Sequence, residues 1–188
     1  MNSNRYTDRL RHHYELYFGV TGNKVKWTKG STHKLHPDFY ILEIESSKRR
    51  AMWAYATVGM SLDRNDNNLI ELITYSPTKD SSRVELLTVN ASFHRNSEAL
   101  NLHHTVFIGQ LTNFDTTCDH GFISLPYLDG KELEIFQFYE KEIHCYWYIP
   151  ITKAERDFKM MKGCNALEDL FEEKQFDHLD MRRKSVVE

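Results

Sequence analysis

Cysteine is scarce in this sequence, and the few cysteines do not pair up. Cys118, Cys145 and Cys164 are odd in number and have no C-x-x-C spacing. That argues against a disulfide framework and makes three reduced thiols in a cytoplasmic protein the expectation. Long apolar runs are missing too. No stretch of 18 apolar residues exists, the length at which a run reads as membrane-spanning. The first residues, MNSNRYTDRLRHHYELYF, lack the apolar centre of a signal peptide. A basic excess is also lacking: 24 Lys and Arg stand against 27 Asp and Glu. Nucleic-acid proteins ordinarily carry a basic surplus or stripe. Ten histidines qualify the near-neutral charge, because protonating them all would reverse its sign and make solubility depend on pH.

Motifs of catalysis and metal binding are likewise missing. There is no H-E-x-x-H, P-loop or G-x-G-x-x-G. Gly59-Met60-Ser61 is not a nucleophile elbow, because Asp63 stands where the closing glycine belongs. His33 with His36, and Cys118 with His120, are close pairs that nothing completes to four ligands. The turn DRNDNN places Asp63, Asn65 and Asn67 at alternate positions like a calcium loop. Its sixth and twelfth positions are Asn68 and Thr74 instead of Gly and Glu. No metal and no cofactor are therefore expected, and the turn reads as a hairpin connection.

What is present suits one domain with an ample core: 188 residues, 40% hydrophobic and 13% aromatic. A first helix is predicted over 4–18, with Tyr6, Leu10, Tyr14 and Tyr17 on one face and Gly19 as its stop. Strands are predicted over 24–27, 38–45, 50–58, 69–75, 104–108, 121–126, 133–139 and 143–148. Asp129-Gly130 reads as a tight turn between two of them. A helix apolar on two sides (Val84, Leu87 and Ala91; Leu86, Val89 and Phe93) should open on a Ser82/Glu85 capping box. Thr152 and Glu155 form a second box, ahead of Ala154, Phe158 and Met161 at i, i+4, i+7. Gly163 breaks that helix, and residues 181–188 are expected to fray. The order predicts an α+β domain with a central mixed, largely antiparallel β-sheet flanked by helices. At least one of Trp53 and Trp147 should be well buried.

The last helix, about 165–175, separates its residues by character. Leu167, Leu170 and Phe171 make an apolar face, while Glu168, Asp169, Glu172 and Glu173 point the other way. A solvated helix face is the ordinary meaning of such a set. The functional meaning is a patch that meets a basic partner. The loops at 28–36 and 109–121 and the sheet edges are the other candidate contact surfaces.

The run HPDFYILEIESSKRRAMWAYATVGMS, from His36 to Ser61, resembles the suppressor-of-fused domain, with Thr57-Val58-Gly59-Met60-Ser61 as its T-x-G-M-S-like step. ELITYSP (Glu71 to Pro77), IPITKAE (Ile149 to Glu155) and the closing LEDLFEE are similar to later elements of that family. The resemblance covers roughly residues 20–176. One departure lies at His103-His104-Thr105, where the family often has Gly-His-Thr. Animal members carry a second large domain without a counterpart in these residues, so their transcription-factor clamp does not carry over. The resemblance implies a protein-binding domain without catalytic residues. Stand-alone versions are similar to bacterial immunity proteins that neutralise secreted polymorphic toxins. That implies a cognate toxin as partner, and the acidic face of the last helix would suit one with a basic cleft, such as a nuclease. A scaffold that sequesters a regulatory protein and an enzyme of unknown chemistry remain alternatives.

Overall fold

The computed structural model describes residues 3–30, 32–48, 50–109 and 116–187. Helix α1 (Ser3–Phe18) leads into a meander of four antiparallel strands: β1 (Asn23–Val25), β2 (Tyr40–Ile44), β3 (Trp53–Val58) and β4 (Ile70–Ser76). Helix α2 (Ser81–Asn96) then crosses to β5 (Thr105–Phe107) and β6 (His120–Ser124). After the short α3 (Lys131–Glu134), β7 (Ile135–Phe138) turns tightly into the long β8 (Lys141–Ile151). Helices α4 (Lys153–Lys162) and α5 (Cys164–Lys174) end the chain's regular structure. No helix among the described residues is long and apolar enough to cross a membrane.

The eight strands form one sheet in the order β1-β2-β3-β4-β8-β6-β5, with β7 paired to the first part of β8. Among the described residues only β4 and β8 run parallel, so the sheet is mixed and largely antiparallel. Both faces are covered, which explains why the strands read as nearly continuous apolar runs instead of alternating. Tyr40, Leu42, Ala54, Ala56, Ile73, Cys145, Trp147 and Phe122 join one core with Tyr6, Leu10 and Tyr14 of α1 and Leu167 and Phe171 of α5. Ile41, Tyr55, Leu72, Tyr146 and Tyr148 face the other way and pack on Val84, Leu87 and Ala91 of α2. Gly121 of β6 is required by that second face. A Cβ there would stand 2.0 Å from the Tyr148 ring. Trp147 is buried and Trp53 half-buried.

Several local expectations need correcting. Asp80, not Ser82, caps α2: its carboxylate accepts the Ser82 amide, so the helix starts two residues earlier than the Ser82/Glu85 pairing implied. Val89 on its second stripe is exposed and Phe93 half-buried, because α2 packs on the sheet by one side only. Asp129-Gly130 joins no strands. Gly130 starts α3, and the Asp129 carboxylate is buried against Arg50 and the hydroxyls of Tyr17 and Tyr75. The tight turn is Tyr139-Glu140, between β7 and β8. Met161 is exposed, since α4 reaches the core mainly through Glu155 and Phe158. The end of the chain is anchored, not frayed: Met181 accepts from the amides of Thr117 and Cys118, and Arg183 is buried.

Candidate functional site

The residues of the T-x-G-M-S-like step turn inward. At the end of β3, Gly59 takes φ +102, a conformation that costs an L-residue energy. This folds three successive amides around the Glu71 carboxylate of β4. Gly59, Met60 and Ser61 donate at 3.2, 3.1 and 3.1 Å. The hydroxyls of Tyr6 and Thr57 add bonds of 2.8 and 2.6 Å. Burial pushes Glu71 up to about 7, against the hydrogen bonds from Thr57, Ser61, Tyr6 and Met60 that favour its charged form. The segment IPITKAE does similar work. Thr152 and Glu155 form the expected capping box on α4. Glu155 also receives both Arg183 guanidinium nitrogens, at 2.5 and 2.8 Å, and the Val186 amide at 3.0 Å. These carboxylates hold the fold together and present nothing to a partner.

The candidate surface site lies at α5. Gly163, at φ +94, separates α4 from α5 and frees the chain to turn. Leu167 and Phe171 then seat α5 on the sheet. Gln175 ends the helix in the left-handed region, and Phe176 folds back to stack on Phe171 at 4.0 Å between ring centres. This leaves a groove of about 750 Å³ between helix and sheet. Tyr127, Trp147 and Ile149 wall its sheet side, and Phe176 and His178 close one end. Glu168, Asp169 and Glu172 line the helix side. No lysine or arginine lines it among the described residues. Burial lowers the His178 pKa, so that ring adds no positive charge at neutral pH. The groove holds hydroxyl-to-carboxylate hydrogen bonds, from Ser124 and Tyr127 to Glu168. Its chemistry suits holding a cationic side chain with an apolar stem.

The four acids singled out on α5 are divided. Glu168 turns toward the sheet, with its side chain only 15% exposed, and accepts from the hydroxyls of Ser124 and Tyr127. It was expected to face out. At 100° from Leu167 it borders the core side, and two hydroxyl donors lie within reach. Asp169 and Glu172 stand on the groove's rim. Glu173 lies outside the groove, 70% exposed and paired with Lys174 at 3.4 Å. Leu170 is half-buried instead of core-facing. The rest of the groove was missed, because Tyr127, Trp147 and Phe176 come together only through tertiary packing. One signal did exist. At the position where the family often has Gly, His103 takes φ +65, stacks on Phe122 and lies 4.0 Å from Glu168. Of the alternative surfaces, residues 110–115 fall outside the described residues. Among the described residues, no group of three or more His, Cys, Asp or Glu side chains is placed to hold a metal.

Comparison with known proteins gives this geometry its context. A family model described as "Suppressor of fused protein (SUFU)" matches residues 36–184. The match reaches past the expected end at 176, far enough to include Arg183. The immunity protein YqcF of Bacillus subtilis (strain 168) is 26% identical over 177 residues, 90% of this chain and 92% of that one. The crystal structure of a SUFU homologue from Neisseria gonorrhoeae superposes with a TM-score of 0.84 at 27% identity, over 98% of both chains. Drosophila Suppressor of Fused shares the fold at a TM-score of 0.69 and 10% identity, with 96% of this chain spanning 51% of that one.

Proposed function

This chain belongs to the suppressor of fused family, and from that premise we propose that it is an immunity protein that neutralises a toxin by binding it. The observation that carries this reading is the end-to-end likeness to the Bacillus subtilis immunity protein, which leaves no large part of either chain unmatched. The surface is consistent with it. The family's signature carboxylates are saturated within the fold, while α5 presents acids that the fold does not use. An excess of acid beside an apolar groove suits a toxin with a basic surface, such as the substrate cleft of a nuclease. The binding is stoichiometric and needs no turnover.

The test is co-expression. Reading frames neighbouring the gene are expressed in a sensitive host, with and without this chain. Survival that requires the chain, together with a complex of the two purified proteins, is the expected result. The reading is lost if no neighbouring frame is toxic, or if toxicity persists in the presence of soluble chain. A complex with a non-toxic regulatory protein instead would favour a sequestering scaffold.

A further inference from the structure

The α5 groove combines features that select one side chain. We propose that it receives an arginine carried on a projecting segment of the partner protein, with the guanidinium bridging Asp169 and Glu172; this rests on the protein-binding function proposed above. Asp169 and Glu172 are i, i+3 neighbours on α5, so their carboxylates lie side by side. Neither carboxylate has a hydrogen bond or ion pair with a described residue, whereas that of Glu168 beside them is already occupied by Ser124 and Tyr127. The rest of the lining is largely apolar and aromatic: Leu128, Trp147 and Ile149, with Phe176 at the end. A buried nitrogen of His178, Nε2, has no partner there either.

Arginine fits this combination better than lysine. Its stem of three methylenes can lie along an apolar wall. Its planar guanidinium is weakly hydrated, stacks on aromatic faces and presents a fork of donors to two carboxylates at once. An ammonium is a compact, strongly hydrated point charge that would leave one carboxylate or the aromatic wall unused. Arginine is also enriched among residues that dominate binding when they enter a desolvated pocket. The strained His103, close to Glu168, places a departure from the family pattern beside the same groove, where such strain is a common companion of function.

The test uses the intact protein and a defined probe. N-acetyl-L-arginine methylamide is titrated while the indole N–H resonances are followed by NMR. Trp147 lies in the groove, and Trp27 and Trp53 lie outside it, so they serve as internal references. The expected result is a saturable shift confined to Trp147, with a dissociation constant on the order of 1 mM for so small a probe. The neutral citrulline analogue should give no such shift, and an Asp169→Asn/Glu172→Gln variant should weaken the arginine response at least tenfold (about 1.4 kcal/mol). Equal responses to arginine and citrulline, or an unchanged response in the variant, overturn the proposal. An equal response to the lysine analogue removes the preference for guanidinium and overturns it as stated. The titration is read on the isolated chain. A saturable arginine response with failed protection therefore sinks the toxin and keeps the groove, and the reverse pair of results sinks the groove alone.

Discussion

The turn after β3 and the helix α5 both present carboxylates, and they treat them in opposite ways. Glu71 is fully enclosed and receives five hydrogen bonds, three of them from consecutive amides of one turn. Asp169 and Glu172 sit at the surface beside an apolar groove and receive none from the described residues. A buried carboxylate with unsatisfied oxygens would cost several kcal/mol, so Glu71 can persist only because the chain was shaped around it. Surface acids carry no such penalty and need no partner to survive. The comparison separates the residues that specify the fold from those free to recognise something else. The family-like turn after β3 and the Thr152/Glu155 segment fall in the first group, while the closing LEDLFEE contributes Asp169 and Glu172 to the second.

The sharpest way to break that division is at Glu71. Replacing it by Ala leaves at least three buried amides without an acceptor, at roughly 1–3 kcal/mol each. We expect a loss above about 5 kcal/mol, enough to unfold an ordinary domain. Chemical denaturation followed by tryptophan fluorescence reads this directly, and a loss under about 1 kcal/mol would contradict the role given to the turn. Glu71→Gln is milder, because one oxygen still accepts. It also isolates the pH effect. With a folded pKa raised from 4.5 to about 7, Glu71 holds its proton more tightly in the folded state. Its contribution is therefore fully present below about pH 4.5 and is lost as pH rises toward 7. Wild type minus Glu71→Gln should show stability falling over that window, since the other titrating groups cancel in the difference.

The next largest effect is expected at the chain's anchored end. Arg183→Met removes the cation from the enclosed Glu155, and breaking one side of a buried pair costs about 3–5 kcal/mol. Residues 177–187 should then lose their protection from amide exchange before the sheet does. Global unfolding in a single step, with no early release of this segment, would show that the tail is not a separate unit. The same residue marks a limit of reading the sequence. Nothing in MRRKSVVE shows that its third residue reaches the capping glutamate 28 positions earlier.

Other parts were legible because their signals are local. The predicted strands all exist, within a few residues of their expected limits, since runs such as YILEI and IELITYS are apolar at nearly every position. The Thr152/Glu155 box follows from a spacing of three. The order of strands was hidden, because the single parallel contact, β4 with β8, joins residues about 74 positions apart. Asp129-Gly130 misled for a physical reason. The pair that favours a tight turn is equally suited to start a helix, and only the position of Arg50 and Tyr75 decides that its carboxylate is buried. The acids of α5 were visible in sequence, but their division was not. Glu168 finds its donors on β6 and on the segment that follows, which no helical wheel displays.

The smallest expected effect on stability is the most informative about recognition. Glu172 and Glu173 fall in the last turn of α5, where the helix dipole disfavours negative charge. An unconstrained surface would gain by placing lysine there. A triple variant Asp169→Lys, Glu172→Lys, Glu173→Lys should therefore keep its stability within about 0.5 kcal/mol or gain slightly. Glu168 is left intact, because reversing it would break its bonds to Ser124 and Tyr127 and confuse fold with contact. With a basic partner in hand, the same variant should associate more slowly, and its rate should fall less steeply with added salt than that of the wild type. Stopped-flow measurements at two ionic strengths separate the outcomes. A lower rate with a flatter salt dependence means that these acids are retained at a small local cost because they steer the partner. An unchanged rate and slope, in a variant as stable as the wild type, would make them an ordinary solvated face and move the interface to another surface.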